Sequence, residues 1–210
     1  MKYFTLIVLF AIFSCGNKED ILLPKGNITI VKDVADLSPI YIFIRVKDKD
    51  TLAEVNRKNS IISTNWILNI DKRLPLRLAI PEIIKLQQKK REEKAHKNEK
   101  AENYYSYADT IGKNLAFISF TNVFYKLEKP KSGVAVFFTK NNEILVDDIM
   151  VKQEDLQAFL NNSPSNKSIQ YIFCFDKNLN FGNYIQSKIF INSLKLPSLD
   201  FNINKEEFIF

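Results

Sequence analysis

Residues 67–87 read ILNIDKRLPLRLAIPEIIKLQ, and residues 172–192 read IFCFDKNLNFGNYIQSKIFIN. Laid over one another at an offset of 105, the stretches share Ile67/Ile172, Asp71/Asp176, Lys72/Lys177, Leu74/Leu179, Ile80/Ile185 and Ile84/Ile189. Apolar periodicity alone yields several such matches, so the shared order of elements carries more weight. In each copy an apolar β-like run ends in Asp-Lys, a short turn follows and a helical pattern begins. Aspartate suits such a strand end, because its short carboxylate can bond the backbone two residues on. The expectation is an α+β protein of two similar small units, each a β-sheet with helices packed on one face. The first unit would span residues 39–128 and the second 132–210.

Working outward, residues 40–47 (IYIFIRVK) form a strand rich in aromatic and β-branched residues, ending in the turn Asp48-Lys49-Asp50. Residues 61–70 read as another strand, around the single tryptophan Trp66. Pro81 is expected to open a helix, since proline fits a first turn and Glu82 complements the amino-terminal dipole. Ile80, Ile83, Ile84 and Leu86 give that helix an apolar patch, and residues 89–97 (KKREEKAHK) then read as a solvated helical extension. Glu93 and Lys97 have the spacing that supports an exposed helix. Residues 115–120 (LAFISF) are a strand and 130–133 a break. Residues 134–139 and 143–146 form a hairpin across Lys140, Asn141 and Asn142. Residues 153–161 make a short helix with Leu156, Phe159 and Leu160 on one face. A strand at 169–175, a helix at 180–194 and a strand at 199–203 complete the reading. Cys174, between aromatics on a strand, reads as a buried structural thiol.

The second unit resembles the periplasmic domain of the ExbD/TolR family. The resemblance rests on Val134-Ala135-Val136-Phe137-Phe138, Asn141-Asn142-Glu143-Ile144-Leu145-Val146-Asp147-Asp148, Glu154-Asp155-Leu156 and Ile172-Phe173-Cys174-Phe175-Asp176-Lys177. It covers roughly residues 132–210, with a degenerate second copy across about 40–125. In that family a hairpin leads into a short helix, and a strand ending in Asp-Lys precedes a second helix and a last strand. The resemblance implies a small α+β domain that tends to dimerise, so a homodimer is a candidate assembly. It also implies work beside a proton-driven motor that energises outer-membrane transport. Members of the family anchor through a transmembrane helix whose aspartate takes part in proton movement. This chain has a different amino-terminal segment, so no residue is carried over as proton carrier, and Asp176 reads as a strand terminator.

The amino-terminal segment places the protein. Lys2 supplies a positive end, residues 3–14 are an apolar run too short to span a bilayer as a helix, and Cys15 follows. Ile12-Phe13-Ser14-Cys15 resembles a bacterial lipobox, with Cys15 the lipid attachment site. The following Gly16-Asn17-Lys18-Glu19-Asp20 resembles the tag that sends some lipoproteins to the cell surface. Residues 1–14 would then be the lipoprotein signal peptide and 15–38 a tether whose only β-like portion is residues 28–31. An ordinary cleaved signal with an incidental cysteine fits the same residues. The expected location is the cell envelope, as an outer-membrane lipoprotein with a surface-exposed variant of that address.

Composition narrows the function. A 46% hydrophobic share with 17 Phe describes a folded chain, and a formal charge of +6 from 30 basic and 24 acidic residues is mild and interspersed. No Lys/Arg run is interleaved with aromatics in the manner of a nucleic-acid footprint, so no nucleic-acid partner is expected. His96 is the single histidine, which gives nucleophilic triads and zinc sites little support, and no Gly-rich phosphate loop occurs. Asp147-Asp148 and Glu206-Glu207 are carboxylate pairs, read as solvated turn residues. No catalytic, cofactor-binding or metal residue is assigned. The expectation is a non-catalytic, lipid-anchored envelope protein acting through protein contacts, with membrane contact through its lipid and an accessory role in an ExbD/TolR-type transport complex. The alternative is a surface or periplasmic binding module for peptidoglycan or an extracellular ligand.

Overall fold

In the computed structural model, which describes residues 20–95, 97–162, 171–195 and 206–210, the chain is α+β, with two six-stranded sheets and three α-helices among those residues. The first sheet contains β1 (Lys25–Gly26), β2 (Leu37–Lys47), β3 (Asp50–Asn56), β4 (Asn65–Ile70), β5 (Asn103–Asp109) and β6 (Asn114–Ser119). Its order is β1-β5-β4-β2-β3, with β6 also on β5. Asp48 and Lys49 turn the β2–β3 hairpin at φ 50° and 77°. β2 runs parallel to β4, and β4 parallel to β5. Helix α1 (Leu76–Glu92) makes the crossover between β4 and β5.

The second sheet contains β7 (Phe124–Lys126), β8 (Val134–Phe138), β9 (Ile144–Val146), β10 (Ile149–Val151), β11 (Tyr171–Phe175) and β12 (Glu206–Ile209), in the order β10-β9-β8-β11-β12-β7. β8 and β9 form the hairpin read from residues 134–146. β8 is parallel to β11, and β11 parallel to β12. A 3-10 turn (Gln153–Asp155) leads into α2 (Leu156–Asn161), and α3 (Phe181–Ser193) follows β11.

Several expectations need correction. The helix expected to begin at Pro81 begins at Leu76, and Pro81 sits inside it. The first amides of α1 find carbonyls elsewhere in the fold, so the start does not depend on proline; Pro81 leaves the Arg77 carbonyl without its usual helical amide. β7 lies within the stretch read as the end of the first unit, yet it pairs with β12 in the second sheet. β1 lies within the stretch read as tether, whereas residues 28–31 contribute only a bridge between Val31 and Phe117. The strand expected at 199–203 lies outside the described residues.

The two strand–helix turns cap one another. Leu76 N–H donates to the Leu179 carbonyl at 2.9 Å and Arg77 N–H to the Lys177 carbonyl at 2.7 Å. In return, Phe181 N–H donates to the Leu74 carbonyl at 2.7 Å and Gly182 N–H to the Lys72 carbonyl at 2.9 Å. Each helix thus has its first two orphan amides satisfied by the turn that launches the other. The turns themselves are built alike: Asp71 Oδ1 accepts from Arg73 N–H at 3.0 Å, and Asp176 Oδ1 from Asn178 N–H at 2.8 Å. Burial works against the charge of Asp71, but the Arg73 guanidinium, at 2.8 and 2.6 Å, together with backbone amides outweighs it and holds the carboxyl below its ordinary range. Gly182 allows a close approach, since a Cβ there would lie 3.1 Å from Lys72 Cβ and 3.3 Å from the Lys72 carbonyl oxygen, and the turn would have to give by a few tenths of an ångström to accept one.

One hydrophobic core runs through both sheets and all three helices. At its centre Tyr105 stacks on Phe120 with ring centroids 3.8 Å apart and meets Phe181 edge-on at 5.2 Å. Asn180 caps α3 through its own side chain, Oδ1 accepting from Asn183 N–H at 2.8 Å. Asn180→Ala is expected to cost about 1 kcal/mol and to lower Tm by about 2–4 °C in a circular-dichroism melt. Asn178→Ala, whose side chain forms no such cap, is the matched control and should leave Tm unchanged.

Candidate functional site

Helix α3 presents two different faces. Tyr184, Ile185 and Ile189 are buried, whereas Asn183, Gln186, Ser187 and Phe190, at the i, i+3, i+4, i+7 spacing of one helical stripe, line an open groove of about 590 Å³. The rest of the lining comes from β1 and the residues after it, together with Thr110, Asn142, Ile144 and Gln153. Close approach of β1 to α3 requires Gly26: a Cβ there would lie 2.6 Å from Ile189 Cδ1 and 2.8 Å from Tyr107 Cε2.

On the buried side, a hydrogen-bonded chain crosses between the sheets. Lys188 Nζ donates to Glu207 Oε1. Tyr184 Oη donates to Glu207 Oε2 at 2.6 Å. Tyr125 Oη lies 3.3 Å from Tyr184 Oη and 2.5 Å from Tyr105 Oη. Because Tyr184 spends its proton on Glu207, Tyr125 donates to Tyr184 and Tyr105 to Tyr125, giving one direction along the chain. Burial first, then the neighbouring hydroxyls and Glu207, pushes all three tyrosine pKa values far above the ordinary range. They remain neutral donors, and the negative end of the chain is matched by Lys188. Glu207 is not the solvated turn residue that its sequence position suggests: it is 4% exposed, because these two donors replace its water. Asp147 and Asp148, by contrast, form the β9–β10 turn at φ 50° and 64°.

Lys90 is the second correction. Expected on a solvated extension, it is 7% exposed. The helix ends at Glu92, and Lys90 turns inward, where Nζ donates to the Thr64 carbonyl at 2.9 Å, the Glu102 carbonyl at 3.1 Å and Asn103 Oδ1 at 2.9 Å. It also lies 5.0 Å from the centre of the Trp66 ring. All three ammonium protons are used, pinning the last turn of α1 to the starts of β4 and β5.

Cys15 and His96 lie outside the described residues. Cys174 is buried, and burial pushes its thiol up to about 12. Among the described residues no group of three or more His, Cys, Asp or Glu side chains converges on a common point, and no helix is long and apolar enough to cross a membrane. The amide stripe on α3 and the Tyr–Glu–Lys chain were both missed from sequence. The i, i+3, i+4, i+7 polar stripe was a readable signal for the first, but the second joins positions from β5, β7, α3 and β12. Comparisons with protein-family models, with curated proteins and with solved structures find no match to this chain.

Burial depresses the Lys90 pKa from 10.5 to about 8. Between those values the unfolded chain holds the proton that the folded chain releases, so this group alone makes stability rise as pH increases from about 8 to about 10.5. Lys90→Met should flatten that rise in urea titrations across the window. At neutral pH it should cost about 1–3 kcal/mol, because three buried oxygens lose their donor.

Proposed function

We propose that this chain is a non-catalytic, lipid-anchored envelope protein, held at the outer membrane through Cys15, which acts by protein contacts beside an ExbD/TolR-type energy-transducing transport complex. The same proposal takes residues 39–128 and 132–210 as degenerate copies of one unit of the ExbD/TolR periplasmic type. Support comes from the common order of hairpin, parallel strand, helix and parallel strand in the two sheets. The capping hydrogen bonds add to it, since Leu76/Phe181, Arg77/Gly182, Leu74/Leu179 and Lys72/Lys177 are each 105 residues apart.

The observation that carries a contact role is the free edge of the second sheet. Among the described residues β10 ends that sheet, and its Ile149 and Met150 are 58% and 65% exposed. An edge strand with unpaired backbone groups and apolar side chains in water is suited to accepting a further strand. Metabolic labelling with a palmitate analogue should mark the protein, and Cys15→Ala should abolish the label. Affinity purification from envelope membranes should enrich motor or transporter subunits, and Met150→Glu should reduce their recovery at least several-fold. Unlabelled wild-type protein recovered inside the cell would overturn the anchor, and purification without those subunits would overturn the accessory role.

The groove along α3 favours a second reading, a surface or periplasmic module that binds peptidoglycan or an extracellular ligand.

A further inference from the structure

We propose that the groove along α3 binds an uncharged, hydroxyl-rich ligand, a neutral saccharide; this deepens the second reading above. Its volume of about 590 Å³ is that of a small-ligand site. Among the described residues that line it, Lys25 is the single charged one. An anion would be met by too few cations, and a metal ion would find no carboxylate. A greasy ligand would have to strip water from many amides without replacing their hydrogen bonds.

The polar lining is what a sugar needs. The side chains of Asn142, Gln153, Asn183 and Gln186 make no hydrogen bond within the described residues, so their amides are available. A carboxamide offers a donor and an acceptor side by side, and adjacent sugar hydroxyls can answer both, being donors and acceptors themselves. Phe190, half-buried in the same stripe, supplies an apolar face for the C–H surface of a sugar ring. The stripe sits on a helix capped at its first turn and packed against Tyr107 and β1 through Ile189 and Gly26, so the amides are presented from a rigid wall.

The test is isothermal titration of the full chain in detergent with two sets of neutral oligosaccharides. Chitotetraose stands for wall glycan chemistry, and maltotetraose and mannotetraose for extracellular polysaccharide. Saturable binding to at least one set is expected. Asn183→Ala and Gln186→Ala should each weaken it about tenfold, with melting curves matching wild type, because neither side chain has a partner to lose. Raising NaCl from about 50 to about 500 mM should leave the Kd within about twofold, as expected when no charge is recognised. Absence of saturation with every sugar, binding that both amide variants leave intact, or a Kd that rises about tenfold or more with added salt would overturn the proposal. Sedimentation with purified sacculi separates its failure from that of the module reading. Equal pelleting of wild type and both amide variants would keep a wall-binding module while removing the groove, and failure in both assays would remove both.

Discussion

The reciprocal capping of two strand–helix turns is the constraint on which the rest of the structure depends. A helix start leaves amides that must find acceptors, and a turn leaves carbonyls that must find donors. Here each deficit is met by the other turn, through four backbone hydrogen bonds of 2.7 to 2.9 Å. Because the donors and acceptors are main-chain atoms, side-chain identity at these positions, the tight approach at Gly182 apart, is free to follow packing. Leu74, Leu76, Leu179 and Phe181 therefore all point into the core. Fixing the two turns fixes where α1 and α3 begin, and with them the faces that each helix offers.

From that junction the interior is organised by aromatic rings with polar ends. Tyr105, Tyr125 and Tyr184 bury large apolar bodies, yet their hydroxyls must be satisfied, and they satisfy one another in sequence until Glu207 and Lys188 close the series. A core of phenylalanines alone would offer no such directional bonds between the sheets. The hydroxyl chain aligns β5, β7, α3 and β12. Lys90 does the comparable task at the far end of α1, where its ammonium gathers oxygens from the starts of β4 and β5.

Much of the local structure was legible because it is governed by neighbouring residues. The Asp48-Lys49 turn, the residue 134–146 hairpin and the Asp-Lys strand ends are set by short-range chemistry that composition and spacing display. What escaped reading is set by distance. β5, with its sequence NYYSYAD, alternates too weakly to stand out, because it is flanked on both sides by other strands and nearly all of it is buried. Lys90 lies in a run of charge that looks solvated until the chain brings Thr64, Glu102 and Asn103 together around it. Glu207 gives no sign in the sequence that a tyrosine and a lysine on α3 will cover it. The groove is intermediate: its amide stripe can be read on a helical wheel, but the rest of its lining comes from residues distant in sequence.

The position of β12 has a consequence for assembly. It lies between β7 and β11, both of which precede it in the chain. During synthesis the second sheet therefore holds an open slot, two facing ladders without a rung, until residues 206–209 arrive. Such a slot is selective for an extended segment of the right length, and another molecule's copy of the same segment fits as well as its own. The second sheet is thus complete only once its last strand in sequence is in place between two earlier ones.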